Sequence, residues 1–219
     1  MSFVRCLRVL EMNFGVLIFP QVEELDFVDP WEMLAIWKKL AGGPEKCFVV
    51  AQFLEPVSCA NGLSVNPTAS FESCPPLDYL LVPGGQGTRT EVSNPKLVSF
   101  VSSQAKGCKA VLSVCTGSFV LHAAGLLSGK KATTHWGSLA RLRALGDVEV
   151  IEQRFVQDGN IWSAAGISAG TDLMLAFIAS VSGEEAAGKV QFAAEYYPSS
   201  VKYGGFENLE QVPTYARGT

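Results

Sequence analysis

Histidine is scarce. Only His122 and His135 occur in 219 residues, which excludes a His-rich metal centre. The six cysteines, Cys6, Cys47, Cys59, Cys74, Cys108 and Cys115, include no CxxC pair, so neither a zinc site nor a disulfide frame is indicated and reduced thiols of a cytoplasmic protein are expected. No apolar stretch free of charge reaches the roughly 18 residues of a membrane span, because Arg5, Arg8 and Glu11 interrupt the first one. A soluble chain without a signal peptide is the expectation. Basic blocks are absent and the formal charge is −4, which argues against nucleic acid or an anionic membrane as a partner. There is no internal repeat and no low-complexity linker to divide the chain. No motif calls for a cofactor or a metal ion.

What is abundant is apolar: 48% of residues are hydrophobic, 17% are charged, and mean hydropathy is +0.22. That is ample for one large α/β domain. The first dozen residues read as a loosely tied extension and 198–219 as an irregular tail. Between them the spacing predicts strands over 13–19, 46–53, 77–82 and 111–114. The first helix is predicted from an Asp29 N-cap and Pro30 at N1 to about Leu40, and another starts at Asn94-Pro95. The polar stretch 55–76 holds short extended pieces at most. Beyond Cys115 come a helix, a short strand over 131–133, a helix over 136–145, and an antiparallel hairpin of 148–155 with 161–163. A long helix over 172–182, with Ser168 as a possible cap, and an amphipathic helix over 184–195 complete the series. Strands alternating with helices indicate a mostly parallel sheet covered on both faces, a flavodoxin-like three-layer sandwich.

Cys115 carries the strongest functional signal. Val111 to Val114 is a short buried-strand run, and Thr116-Gly117-Ser118 turns at once into the helical pattern 119–124. Small residues at Ser113 and Gly117 let the backbone pass closely, as in a nucleophile elbow. A thiol at a sheet edge just before a helix N-terminus is expected to be exposed and to favour thiolate. The plain alternative is a buried structural cysteine. Ligands of open α/β sheets bind beyond the carboxyl ends of strands, and two loops there are candidates. In Pro83-Gly84-Gly85-Gln86-Gly87 the N–H of Gly85, with that of Thr116, could hold an anion developing on a substrate; a tight turn is the alternative. In the loop after the first strand, Glu23 and Glu24 read as solvated charges. Asp26, between Leu25 and Phe27, is the carboxyl that an apolar wall could hold with a raised pKa. His122 points away from Cys115, two helical turns on. His135, in Thr133-Thr134-His135-Trp136, either orients the thiol or bonds its own loop. Asp172 reads as a structural partner of a helix dipole, and Trp31 or Trp136 could line an apolar pocket.

Four segments together, 25–30, 82–87, 113–117 and 132–136, resemble the ThiJ/PfpI superfamily within the class I glutamine amidotransferase-like fold. The similarity covers nearly everything after Asn13 and is greatest to the isocyanide hydratase branch, as is the later run 165–172. It implies a homodimer and a Cys115 nucleophile with Asp26 as acid and base. Asp29 and Ala165 stand where that branch often has glycine, which implies a changed pocket mouth. Similar domains open some AraC-type regulators; with 219 residues leaving no room for their helix-turn-helix module, that role is not expected. Three functions follow as expectations. The first is a lyase that hydrates an isocyanide to a formamide, with Gly85 and Thr116 steadying anionic stages. The second is a glyoxalase or deglycase acting on 2-oxoaldehydes. The third is a non-enzymatic redox sensor or small-molecule binding module.

Overall fold

The computed structural model describes residues 12–198 and 213–216. The extension expected over 1–12 therefore lies, apart from Met12, outside the described residues, as does most of the tail expected over 198–219.

In chain order the elements are β1 (Asn13–Leu17), α1 (Glu24–Leu40), β2 (Lys46–Ala51), the two-residue strands β3 (Val57–Ser58), β4 (Ser64–Val65) and β5 (Ala69–Ser70), and β6 (Tyr79–Val82). There follow α2 (Thr88–Glu91), α3 (Pro95–Ala105), β7 (Ala110–Val114), α4 (Gly117–Ala123), β8 (Lys131–Ala132), a 3₁₀ turn at Trp136–Ser138, and α5 (Leu139–Arg143). Last come β9 (Glu149–Val150), β10 (Phe155–Asp158), β11 (Ile161–Ala164), α6 (Ala169–Ser182), α7 (Glu184–Ala193), and a 3₁₀ turn at Thr214–Ala216.

The main sheet runs β10-β11-β7-β6-β1-β2-β5. Every neighbouring pair is parallel except β10 with β11 at one edge. Its central strands β6 and β7 are buried at every residue, as a sheet covered on both faces requires. Helices α1, α6 and α7 pack together on one face, and α3 and α4 on the other. Phe177 of α6 centres the core, its ring 5.1 to 6.3 Å from those of Tyr79, Trp162, Trp37 and Phe14 in edge-on geometry, the preferred arrangement of aromatic quadrupoles. After β1 the chain moves outward to β2 and β5, then returns to lay β6 on the other side of β1. That reversal opens a crevice at the carboxyl ends of β1 and β6, where ligands of such sheets bind.

Several boundaries differ from the sequence reading. The first helix begins at Glu24, not at Asp29, so Pro30 sits inside it. Proline in a helix leaves one carbonyl without its donor. The ring is accommodated against α6, where Gly170 is so close that a Cβ would stand 2.9 Å from Pro30 Cγ. Asp29 is consequently no N-cap; its Oδ2 accepts from Thr171 Oγ1 at 3.3 Å. Asn94 does cap α3, accepting from the N–H groups of Lys96 and Leu97. Ser168 caps nothing with its side chain: its Oγ accepts from Arg154, whose Nε also binds Asp172 at 2.6 Å. Residues 149–150 pair with β8 rather than extending the hairpin, and the helix expected over 136–145 opens as the 3₁₀ turn. Glu24 is not solvated. It is 7% exposed and accepts from the N–H groups of Asn61 and Leu63. Burial pushes its pKa up, but those hydrogen bonds outweigh it and hold the group below its ordinary value.

Candidate active site

Cys115 directly follows β7 with φ of 57°, a left-handed conformation that costs a non-glycine residue on the order of 1–3 kcal/mol. Both of its backbone groups are fastened. Its N–H donates to Ala165 O at 2.8 Å, and its carbonyl accepts from Thr134 Oγ1 at 2.8 Å and Ser118 Oγ at 3.3 Å. A Cβ at Gly117 would stand 2.1 Å from Val82 O, so glycine there lets α4 leave close under β6. The elbow read from the sequence is present, with its strain held by neighbouring strands and loops.

Asp26 lies in the first turn of α1 with no solvent exposure. Its Oδ2 accepts from Gly84 N at 3.0 Å and its Oδ1 from Ile167 N at 3.1 Å, and it faces the Cys115 thiol. Burial raises its pKa to about 7 against the pull of those hydrogen bonds. A carboxyl so placed is half ionised near neutral pH and can both give and take a proton.

The thiolate preference expected for Cys115 is not met. Burial, then the facing Asp26 charge, push the thiol well above its ordinary pKa, against the pull of the Thr116 N–H. The side chain is 7% exposed rather than free at a sheet edge. Helix α4 has only seven residues, and its terminal field does not outweigh the lost hydration. The proton of this pair therefore rests on sulfur, with the carboxyl as the group that titrates near neutrality.

The expected pair of anion-holding N–H groups is also rearranged. Gly85, at φ of 120°, donates its N–H to Thr116 Oγ1 at 3.0 Å, and Thr88 Oγ1 donates to the same oxygen at 3.1 Å. The Gly85 N–H is thus engaged within the protein, and the Thr116 N–H serves the sulfur. Gly84 is placed instead to hold the carboxylate.

Cys115 opens onto a cavity of about 310 Å³ bordered by Glu23, Arg89, His135, Trp136, Arg141 and Ile167 among others. His135 reaches it, but Nδ1 accepts from Gly137 N at 3.2 Å, the reading in which it bonds its own loop. Burial lowers its pKa, so the ring is neutral at neutral pH. His122 pairs with Asp147 at 2.8 Å, away from the thiol. Asp29 is not at the cavity wall, and Ala165 lies buried behind the elbow. Trp136 lines the cavity and is 42% exposed; Trp31 packs against the core. Two residues of the site carry no signal in their residue type or spacing: Ile167 contributes a main-chain N–H at positive φ, and Arg141, on the short helix α5, borders the cavity.

The DJ-1/PfpI family model matches residues 13–180. The chain belongs to the DJ-1/PfpI family. Within it the chain is 40% identical to isonitrile hydratase of Pseudomonas putida over 190 residues, 87% of this chain and 81% of that one. It is 30% identical over 182 residues to the HTH-type transcriptional regulator CdhR of Pseudomonas aeruginosa, covering 83% of this chain but only 54% of the regulator. The solved structure of a ThiJ/PfpI family protein from Pseudomonas syringae superposes with a TM-score of 0.82 at 34% identity, over 94% of this chain and 83% of that one.

Proposed function

We propose that this DJ-1/PfpI protein hydrates isonitriles, R–N≡C, to N-substituted formamides at Cys115. The reading is carried by the contact between a buried carboxyl that titrates near neutrality and a thiol it can deprotonate, and the similarity to isonitrile hydratase supports the substrate class. Asp26 takes the thiol proton as sulfur bonds to the isonitrile carbon, then delivers that proton to the same carbon, giving the thioimidate R–N=CH–S. Water next adds to this carbon and the C–S bond breaks. Of the water's two hydrogens, one ends on the formamide nitrogen and one on the released sulfur, with Asp26 relaying them. Donors fixed on both carboxylate oxygens keep Asp26 in one orientation throughout, so little reorganisation accompanies proton transfer.

The experiment is incubation of the purified protein with a panel of alkyl and aryl isonitriles, with formamide followed by chromatography. Formamide that appears with the native chain and not with Cys115→Ala supports the reading. No formamide across the panel overturns it, and consumption of methylglyoxal with lactate release would then place the same thiol in 2-oxoaldehyde chemistry.

A further inference from the structure

Arg89 and Arg141 both line the Cys115 cavity, and both also line an adjoining cavity of about 330 Å³ walled by Val92, Phe119 and Leu145. Among the described residues neither guanidinium is paired with a carboxylate. Arg141 is not a freely waving surface charge: its Cζ lies 3.8 Å from the centroid of the Phe119 ring, a cation–π contact that fixes the planar fork and strips part of its hydration. Phe119 belongs to α4, the helix that leaves directly from Cys115, so the fork is tied to the same element as the thiol. Arg89 sits on α2, immediately after the glycine loop that holds Asp26.

Two unpaired cations beside one cavity repel each other, and burial together with Arg89 indeed holds Arg141 below its ordinary pKa. An anion between them relieves that repulsion. Glu23, which lines the cavity too, already accepts from Asn61 Nδ2 at 3.0 Å and leaves the fixed side-chain charges at the wall with a surplus of one positive. That surplus matches a monoanion better than a dianion, and guanidinium forks match the planar, two-oxygen geometry of a carboxylate.

We propose that Arg89 and Arg141 form a carboxylate-recognising subsite, so that the substrate transformed at Cys115 carries a carboxylate on the arm remote from its reacting carbon. This rests on the hydratase reading for the reacting group but not for the anion. Charge-assisted hydrogen bonds of this kind change affinity by about ten- to a hundredfold.

The test compares 3-isocyanopropanoate with its methyl ester. The native protein is expected to give a kcat/KM at least about tenfold higher for the acid, and Arg89→Gln/Arg141→Gln, checked for native circular dichroism, is expected to bring the ratio of acid to ester close to one through KM. Equal turnover of acid and ester by the native protein, or a preference that survives the double substitution, overturns the subsite. Binding of the corresponding formamides, N-formyl-3-aminopropanoate and its methyl ester, is measured calorimetrically alongside. If no isonitrile is turned over, the hydratase reading fails by itself. Tighter binding of the acid form by the native protein, lost in the double variant, then still supports the subsite, and equal binding of acid and ester overturns it.

Discussion

Gly84 meets Asp26 through a main-chain N–H 3.0 Å from Oδ2, and a Cβ on that glycine would stand 2.8 Å from the same oxygen and 2.5 Å from Thr116 N. Both obstacles are fixed, one by two hydrogen bonds and the other by the elbow backbone. Gly84→Ala is therefore expected to push the carboxylate off the thiol. Overpacking of this type costs about 1–3 kcal/mol, so a melting temperature lowered by several degrees should accompany at least a hundredfold loss of formamide production. A variant that melts lower but keeps its turnover would separate packing at Gly84 from the chemistry.

For Asp26 the expected loss on Asp26→Asn is about 10²–10⁴-fold in turnover, the usual contribution of a positioned acid and base. Activity of the native protein should fall on the acid side of about pH 7, where the carboxyl takes up its proton. Stability runs the other way. A carboxyl whose folded pKa is raised contributes stability that is fully present below its unfolded pKa of 3.8 and is lost as pH rises through about 7, a decline of a few kcal/mol. Asn supplies one carbonyl oxygen to the two N–H donors of Gly84 and Ile167, so its fold is weakened at all pH values, by about 1–3 kcal/mol. The decline between pH 4 and 7 should be shallower in the variant. Denaturant melts at a series of pH values compare the two slopes.

Cys115 should label slowly at neutral pH. Its thiol lies above the ordinary range because of burial and the facing carboxylate, so iodoacetamide modification, read by peptide mass, is expected to keep rising through pH 9. A rate that levels off below pH 8 would indicate a thiolate and contradict the arrangement of charge described here.

Assembly is the fourth prediction. Leu25 and Val28 on α1, Leu63 beside Asn61, and Ile167 are large apolar side chains at 38% to 55% exposure. Leu25 and Val28 share a helix with Asp26, the Leu63 N–H bonds Glu24 on that helix, and the Ile167 N–H bonds Asp26 itself. A patch of this kind commonly marks a subunit contact, and we expect a homodimer with this face at its interface. Light scattering coupled to size exclusion should give twice 23.5 kDa for the native chain and a lower mass for Leu25→Glu/Val28→Glu. A monodisperse native monomer at micromolar concentration would refute it.

Legibility in the sequence followed the range of the interaction. The Cys115 elbow, the Asn94 helix start and the mostly parallel character of the sheet were readable, because each rests on neighbouring residues: an apolar run with small flanks, an Asn before Pro, strands alternating with helices. The start of α1 was misread, because Pro30 resembles a helix beginning and only its packing on Gly170, far along the chain, lets it sit inside. Ser168 and Asp172 looked like parts of one helix start, yet Arg154 from β10's approach holds both. The charge state of Cys115 was misread for the same reason. A helix N-terminus is local and visible, whereas burial against Asp26 belongs to the assembled fold.

The two N–H groups that hold Asp26 come from residues 58 and 141 positions further along the chain. Contacts across such separations close late, because the entropy of long loops must be overcome before they form. No partly folded sheet lacking either segment can present a fully held carboxyl to the thiol. The Asp26–Cys115 pair is thus expected to be among the last features to form as the chain folds, and recovery of the proposed activity after denaturation should mark completion of the fold rather than its collapse.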